Sequence, residues 1–417
     1  MAELSAAAPL TTADGRPLKA ALASAQARAR RRAFVLVLPL LAFVLLTFIL
    51  PIGQMLYRSV YHDGFSSAAP QLAAWFDANP EGTAPDEAAF AALAADLKQM
   101  KADKSAGEAG TRINYNVSGT RSLFTSTARA ADKLEPPYRE ALLALDAKWG
   151  QPIIWQAMRS AASPYTSDFY LVATDRERDA SGKAVKVAEN ERIYLYLFFK
   201  TFWLSGLITG ICLVLAFPIA HLLATLPMAK SNLLMILVLL PFWTSLLVRT
   251  TSWMVLLQGQ GVVNNVLVAL HLIDDQGRLA MINNETGTII VMTHILLPFM
   301  ILPLYSVMRT IPPSYARAAR SLGATSWTTF RRIYLPQTLP GIGAGGLLVF
   351  ILAVGYYITP ALVGGADGQM ISNLIKFHMD KSNWSLAAAL AALLLAGVLL
   401  LYWLYDRLIG IDNLKLG

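Results

Sequence analysis

The chain lacks the thiol chemistry that supports many small folds and metal sites. It has one cysteine in 417 residues, Cys212. A disulfide within the chain is therefore excluded, and no thiolate metal site is indicated. The five histidines show no H-E-x-x-H or similar ligand spacing, and no nucleophile lies in a pattern with a base. The sequence therefore predicts no metal site, no catalytic residue and no enzyme activity.

A phosphate-binding loop is also missing. No G-x-x-x-x-G-K-[ST] run occurs anywhere in the chain. We therefore expect the chain to bind no cofactor of its own, ATP included. If ATP drives a process in which this chain takes part, the nucleotide binds to another subunit.

Charge is scarce, and long apolar runs take its place. Only 15% of the residues are charged and 55% are hydrophobic, whereas globular domains carry about 25% charged residues. A membrane-spanning helix needs about 20 apolar residues. Six runs approach or exceed that length, and this number favours membrane helices over the core helices of a large soluble enzyme. The six runs are 34–57, 193–217, 233–247, 288–307, 339–357 and 386–405.

The positions of lysine and arginine predict the orientation. The basic segment 1–32 ends in Arg30, Arg31 and Arg32, directly before the first apolar run, which places it in the cytoplasm. Alternation then places the tail 406–417 inside as well. The segment 58–192 falls outside, and its sixteen Lys and Arg against eighteen Asp and Glu show no cationic excess. The net charge of +8 therefore indicates topology and contact with anionic membrane lipid, not with nucleic acid.

The segment 314–336 is polar and cationic and lies between two apolar runs. Pro312 and Pro313 favour the start of a short helix, and Gly323 favours a left-handed end to it. Thr325 or Ser326 can cap a second short helix. Each helix is predicted to have one apolar side. These sides are formed by Tyr315, Ala318, Ala319 and Leu322 in the first, and by Trp327, Phe330 and Ile333 in the second.

This segment resembles the cytoplasmic coupling loop of permease subunits in binding-protein-dependent ABC importers. That loop runs Glu-Ala-Ala, three residues, Gly, nine residues, Ile, any residue, Leu-Pro. One departure reverses a charge, since Arg317 stands where the family has Glu. The matching residues here are Ala318, Ala319, Gly323, Ile333, Leu335 and Pro336.

Two further stretches resemble the spermidine/putrescine group of these permeases. One begins Pro-Phe-Trp-Thr-Ser at 241–245, and the other reads Tyr-Tyr-Ile-Thr-Pro-Ala-Leu-Val-Gly-Gly at 356–365. The resemblance covers about 193–405. It implies an all-α polytopic protein of the bacterial inner membrane, in the ABC importer permease fold. Six transmembrane helices are expected, the first at 33–57 and helices two to six within a permease core at 193–405.

The resemblance also implies partners and a substrate class. The expected partners are ABC ATPase subunits that bind ATP and Mg²⁺, a second, similar permease subunit, and an extracytoplasmic substrate-binding protein. The substrate would be a polyamine or a related small organic solute. The 58–192 insertion, between helices one and two, would be a docking platform or lid for the binding protein, or a stabilising appendage.

The functional residues implied fall into two groups. The ATPase-coupling group is Tyr315, Arg317, Ala318, Ala319, Leu322, Gly323, Phe330, Ile333, Leu335 and Pro336. The substrate pathway or gate group is Trp243, Arg249, Trp253, Asn264, Tyr356 and Tyr357. Aromatic rings there would attract an organic cation, or would form an interfacial belt.

Three other features stay open at this point. The glycines of 341–346 would pass loop movement to the pore or would only allow close helix packing. The segment 165–172 is aromatic and strand-like, so the insertion is either α+β or mostly helical. The alternating charges of 175–179 are typical of a solvated surface. The alternative function is a secondary transporter or channel, which predicts paired intramembrane carboxylates or inverted repeats. Neither feature is found.

Overall fold

The computed structural model of the chain describes residues 18–179 and 181–409, most of which are helical. The first part of the expected basic tail 1–32 and most of the expected tail 406–417 lie outside these residues. The chain divides into two compact units, Met1–Tyr57 and Arg58–Gly417.

The first unit is one long helix with a wide turn inside it. Helix α1 (Leu18–Val44) continues through a π turn (Leu45–Ile49) into α2 (Leu50–Arg58). The helix begins well before the expected span at 33–57, so part of the basic tail is helical. The apolar portion, Ala25–Arg58, has 34 residues. At 1.5 Å per residue it is long enough to cross a hydrocarbon layer of about 30 Å.

The second unit begins with a helical bundle at 58–192. Its core contains large, fully buried side chains, among them Trp149, Phe90 and Phe124. The indole N–H of Trp149 donates to Thr127 Oγ1 at 3.1 Å, which satisfies its one polar atom. The segment therefore has a hydrophobic core of its own, as its length predicts. Its helices are α3 (Pro70–Ala78), α4 (Glu87–Asp103), α5 (Ala106–Asn114), α6 (Thr120–Ala130), α7 (Tyr138–Leu145), α8 (Pro152–Ala162) and α9 (Asp168–Ala173).

The strand-like interpretation of 165–172 is wrong. Only Tyr165 makes an isolated bridge, and the chain then forms α9. The carboxylate of Asp168, at the start of that helix, accepts hydrogen bonds from Arg112 at 3.3 Å and Arg178 at 2.8 Å. Burial disfavours the charged carboxylate, but the hydrogen bond from Arg178 and the two guanidinium charges outweigh it. The pKa of Asp168 therefore lies below its usual value, and an ionised acid suits the first turn of a helix.

The charged run 175–179 is not simply a solvated surface. Strand β1 (Arg176–Arg178) pairs antiparallel with β2 (Ala184–Lys186), but Asp175 just before it is buried. Its carboxylate accepts the backbone N–H groups of Ile193 at 3.1 Å, Tyr194 at 3.0 Å and Leu195 at 2.8 Å. These N–H groups lie at the start of the next helix, where they have no intrahelical acceptor. Asp175 therefore fastens the bundle to the helices that follow.

That packing continues through apolar side chains. Phe169 and Ala173, on one side of α9, are buried together with Ile371, Leu386 and Leu390. The remaining helices of the chain are α10 (Tyr194–Thr225), α11 (Met228–Leu239), α12 (Leu246–Leu256), α13 (Val262–Ala269), α14 (Glu285–Thr310), α15 (Pro313–Ser321), α16 (Ser326–Thr329), α17 (Leu335–Gly355), α18 (Ile358–Val363), α19 (Ile371–Asp380) and α20 (Trp384–Ile409). The bundle thus packs on α19 and α20.

Helices α10, α14 and α17 form the centre of the apolar part. Leu204 and Ile208 of α10, Met292 and Leu296 of α14, and Val349 of α17 belong to one buried cluster. The predicted runs 193–217, 288–307, 339–357 and 386–405 lie on α10, α14, α17 and α20, and no run extends more than two residues beyond its helix. The helices themselves are longer than the runs, by up to eight residues at one end. The sequence therefore located these four helices correctly.

The predicted run at 233–247 is not a straight span. Met228–Trp243 and Leu246–Ala269 are two arms that meet at an angle of 97°. Pro241 interrupts the first arm, and the Ser245 hydroxyl accepts the N–H of Val248 at 3.2 Å to begin the second. In the described residues, five helices are long and apolar enough to cross a membrane, or six if the bent pair is one span.

We predict that Asp175→Asn destabilises the protein by about 1 kcal/mol, the usual effect of losing a helix cap. Asp175 has a φ of +53°, which asparagine tolerates, so the backbone is preserved. The amide, however, has one acceptor oxygen in place of two and no charge, so at least one of the three N–H groups loses its partner. Thermal unfolding of the purified protein measures the effect. Glu177→Gln, at an exposed neighbour on the hairpin, is the control, and an equal midpoint for both variants would contradict the capping role.

Candidate functional site

The predicted left-handed end of the first short helix, at Gly323, is confirmed. We call the turn at Gly323 the corner. Helix α15 ends at Ser321, and Gly323 has a φ of +87°, which a residue with a Cβ rarely adopts. The N–H of Gly323 bonds to the Arg320 carbonyl at 3.0 Å, and the N–H of Ala324 bonds to the Ala319 carbonyl at 3.1 Å. These bonds close the last turn of α15 and reverse the chain.

The predicted cap at Thr325 is confirmed, but the helix after it is not a separate short helix. The Thr325 hydroxyl accepts the N–H of Thr328 at 3.2 Å. From there α16, a π turn at Phe330–Tyr334 and α17 form one helical segment, Ser326–Gly355. The second half of the loop and the fifth apolar run are therefore a single structural piece of 30 residues.

The π turn explains why Pro336 does not break this helix. A proline ring inside a helix clashes with the carbonyl four residues earlier, which is that of Arg332. Arg332 is the middle residue of the turn Phe330–Tyr334, where the backbone is wider. The same arrangement occurs in the first unit, where Thr47, four residues before Pro51, is the middle residue of Leu45–Ile49. In both places a wide turn accommodates the proline, and the helix continues.

Three aromatic side chains of this segment share one side. Trp327, Phe330 and Tyr334 stack in succession, with ring centroids 5.7 Å and 6.2 Å apart. Tyr334 was not part of the predicted apolar side, although it lies at helical spacing from Trp327 and Phe330. Phe330 packs edge-on against Phe217 of α10 at 5.9 Å. The stack therefore joins the loop to α10.

A hydrogen bond adds to this contact. Tyr334 Oη lies 2.8 Å from His221 Nδ1 of α10. This pair is not apparent in the sequence, because His221 is 113 residues away from Tyr334. The other predicted loop residues take different places. Ala318 is exposed, Ile333 lines a cleft beside α15, and Leu335 and Pro336 form the first turn of α17.

The corner itself presents uncovered apolar side chains. Leu322 is 89% exposed, Trp327 is 67% exposed and Tyr315 is 52% exposed. A cluster of this kind in a short polar segment marks a surface that another protein or a membrane covers. The predicted apolar side of α15 therefore exists, and nothing in the described residues covers it.

The four glycines at 341–346, in the first half of α17, do not share one environment. A Cβ on Gly341 would lie 3.1 Å from Val307 and 3.2 Å from the Leu304 Cα, and one on Gly345 would lie 2.8 Å from Met300 Sδ. Both face α14 closely. Gly343 faces the Tyr405 hydroxyl, whereas a Cβ on Gly346 would meet nothing nearer than 3.9 Å. Gly341 and Gly345, one turn apart, thus set the distance between α14 and α17.

We predict that Gly345→Ala destabilises the protein by about 1–3 kcal/mol, because its methyl group would overpack against Met300. Gly346→Ala is the matched control. It adds the same methyl group one position along the helix, in ordinary van der Waals contact, and should be neutral or slightly stabilising since alanine favours helices. Thermal unfolding of both variants tests this. Equal midpoints would show that Gly345 does not set the packing distance.

Several predicted gate residues come together near the broken helix. Trp253 of α12 donates its indole N–H to His294 Nδ1 of α14 at 3.0 Å. Trp253 and Tyr356 pack against the same buried cluster around Ile295. Arg249 lies close enough to interact electrostatically with His294 and Tyr356. Its Nε is buried without a hydrogen-bond partner, and no carboxylate pairs with it in the described residues.

The other three predicted gate residues lie outside this group. Asn264 is buried, and its amide donates to the carbonyls of Gln258 and Leu279 and accepts the N–H of Leu279. Asn264 therefore holds a loop and presents no free group to a solute. Trp243 is 74% exposed, and Tyr357 is 38% exposed.

Lys200 is a polar feature that the sequence analysis missed. Its side chain is 9% exposed, and its ammonium donates to the carbonyl of Asp367 and lies 3.5 Å from Glu285 Oε2. It also lies 5.7 Å from the centre of the Tyr196 ring. Lys200 is the one cation in the sequence of α10, and an ionisable group within an apolar helix marks a functional or paired position. That signal was available in the sequence.

Comparison with known proteins places this arrangement in a family. Residues 193–409 match the family described as binding-protein-dependent transport system inner membrane component. The spermidine/putrescine transport system permease protein PotB of Haemophilus influenzae is 35% identical over 224 residues, covering 54% of this chain and 78% of that protein. PotB of Escherichia coli is 36% identical over 222 residues, covering 52% and 80%.

Solved structures of a bacterial alginate importer also align with the chain. The ABC transporter involved in import of the acidic polysaccharide alginate is 19% identical, with a TM-score of 0.47, over 69% of this chain and 97% of that chain. The same kind of transporter, in complex with an alginate pentasaccharide-bound periplasmic protein, aligns with a TM-score of 0.43 at 19% identity over 52% and 79%.

The class of protein is therefore the membrane-embedded subunit of an ABC importer. The family match covers more than half of the chain, and the chain belongs to the binding-protein-dependent transport system inner membrane components. It is a multi-pass inner membrane protein that works with other importer components. Its relatives are permease subunits, which are not enzymes, so that expectation is confirmed. The alternative of a secondary transporter or channel is set aside. The bundle at 58–192 lies outside the matched residues.

Proposed function

We propose that the chain forms half of a polyamine pathway and docks an ATPase subunit through the corner at Gly323. A second, similar but non-identical permease subunit supplies the other half. The ATPase binds ATP and Mg²⁺, and a binding protein delivers the solute from outside. The observation that carries the docking assignment is the exposure of Leu322 and Trp327 at the corner, in a segment with the coupling-loop spacing.

The proposed topology has six spans, with the bent pair α11–α13 counted as the third. The N-terminal arginines place the start of the chain in the cytoplasm, and an even number of spans returns the C-terminus there. The corner at Gly323 is then cytoplasmic, where ATP is present. The bundle at 58–192 is extracytoplasmic, and its cap on α10 holds it against the outer end of the spans.

The proposed motion follows from the continuity of Ser326–Gly355. An ATPase that moves the corner would move α17 with it, because no flexible segment lies between them. Gly341 and Gly345 would keep α17 against α14, so that a shift of α17 is passed to the helix that carries His294. The pathway would then alternate between two orientations.

The polyamine assignment rests on relatives. The two PotB proteins named above are components of spermidine/putrescine systems. Trp253 and Tyr356 offer ring faces that attract ammonium groups. Uptake of labelled spermidine by vesicles that hold the complete importer tests this part. Uptake of neither spermidine nor putrescine, with ATPase docking intact, would refute the substrate and leave the subunit assignment in place.

We predict that Leu322→Asp weakens ATPase binding by about tenfold or more. Burying a leucine side chain contributes about 1.5–3 kcal/mol, and tenfold in affinity is about 1.4 kcal/mol. Titration of the purified ATPase against the chain in nanodiscs measures the dissociation constant. The fold should be unchanged, because Leu322 makes little contact within the chain.

Leu272→Asp is the matched control for this measurement. Leu272 is 66% exposed and follows α13, on the opposite side in the proposed topology. Its replacement should leave ATPase binding unchanged. If Leu322→Asp bound the ATPase as tightly as the unaltered chain, the corner would not be the docking surface.

A further inference from the structure

The face that carries the Gly323 corner has almost no acidic residues. Within 194–409, Asp and Glu occur only at positions 274, 275, 285, 367, 380 and 406. None lies between Glu285 and Asp367, a stretch that includes the whole coupling loop. The loop itself contains four arginines. They are Arg317, Arg320, Arg331 and Arg332.

A cleft lies beside α15 on this face. It has a volume of about 890 Å³ and is bordered by α15, by the ends of α10 and α14, and by the start of the helix that leads into α17. Arg309, Arg317 and Arg320 line it, together with His221 and Tyr315. No carboxylate belongs to its lining.

The three arginines differ in how they are engaged. Arg309 donates to the carbonyl of Ala224 at 2.9 Å and so caps the end of α10. Arg320 makes one long bond, from Nε to its own helix at 3.4 Å. The Arg317 guanidinium has no hydrogen bond or ion pair with any residue that the structure describes. Two exposed cations therefore border the cleft without an anion.

We propose that this cleft receives an acidic side chain, Asp or Glu, of the ATPase subunit. The inference rests on the proposed function and adds the charge of the partner to it. Arg317 stands at the position where the family's loop has Glu, and an unpaired cation at an interface is best matched by an anion on the partner. Complementary charge across an interface selects partners, because like charges brought together cost several kcal/mol. The cleft would therefore favour an ATPase subunit that carries an acidic residue at this place.

Charge reversal in the cleft tests the proposal. Arg317→Glu and Arg320→Glu should each weaken binding of the ATPase to the chain in nanodiscs by about tenfold or more. Arg332→Glu is the matched control, since it reverses an exposed arginine of the same loop that does not line the cleft. It should change binding less than threefold. Arg317→Lys keeps the charge and should retain most of the affinity of the unaltered chain.

A compensating change identifies the partner residue. Single Asp→Arg and Glu→Arg variants of the ATPase's docking face are then tested. One of these ATPase variants should bind the Arg317→Glu chain more tightly than it binds the unaltered chain. Nanodiscs of zwitterionic lipid remove anionic headgroups as the source of the negative charge. If Arg317→Glu weakened binding only when anionic lipid was present, the cleft would hold a lipid headgroup and the proposal would be wrong.

The two proposals fail in different ways. If the unaltered chain bound no ATPase, the proposed function itself would fail. If it bound the ATPase and Leu322→Asp abolished binding, while Arg317→Glu and Arg320→Glu bound as tightly as Arg332→Glu, only the acidic contact would be refuted.

Discussion

Coupling between the corner and the membrane depends on one constraint, which is that the helix stays continuous from Ser326 to Gly355 although Pro336 lies within it. The π turn before the proline makes this continuity sterically acceptable. The Trp327–Phe330–Tyr334 stack and the bond from Tyr334 to His221 hold the turn in place. If the helix were broken at Pro336, the proposed coupling loop and α17 would be separate helices. Docking at the corner would then move only the loop.

A second connection joins the bundle at 58–192 to the long apolar helices. Asp175 and the apolar side of α9 attach the bundle at 58–192 to α10, α19 and α20. The same helix α10 contacts the coupling loop through Phe217 and His221. One helix therefore touches both the bundle and the loop. A partner that pressed on the bundle would act on a helix that also contacts the proposed docking loop.

Local signals in the sequence were enough for much of this structure. Gly323 needed a left-handed conformation and Thr325 needed to cap a helix, and both requirements arise within four residues of the chain. Five of the six apolar runs also correspond to helices, because length and hydrophobicity decide whether a segment can cross a membrane. The exposed apolar side of α15 followed from helical spacing alone.

Two of the misses depend on a partner elsewhere in the chain, and a third is a local bend that hydrophobicity does not reveal. Asp175 belongs to a charged run, but the N–H groups it caps are about twenty residues away. A proline usually breaks a helix, but Pro336 follows a wide turn that contacts with α10 hold in place. The run at 233–247 was apolar enough to cross a membrane, but Pro241 and the Ser245 cap bend the chain. Hydrophobicity does not reveal such a bend.

The most direct test of the central claim is a distance measured by pulsed electron paramagnetic resonance in the complex with the ATPase. Spin labels at Ser326→Cys and Leu348→Cys, both exposed, lie about 33 Å apart along one helix. Buried Cys212 is replaced by alanine. We predict that this distance stays constant when ATP binds, while the distance from Ser326 to a label at Leu399 of α20 changes. A change in the first distance would show that the helix bends at the π turn, so that movement of the corner would not be passed to α17.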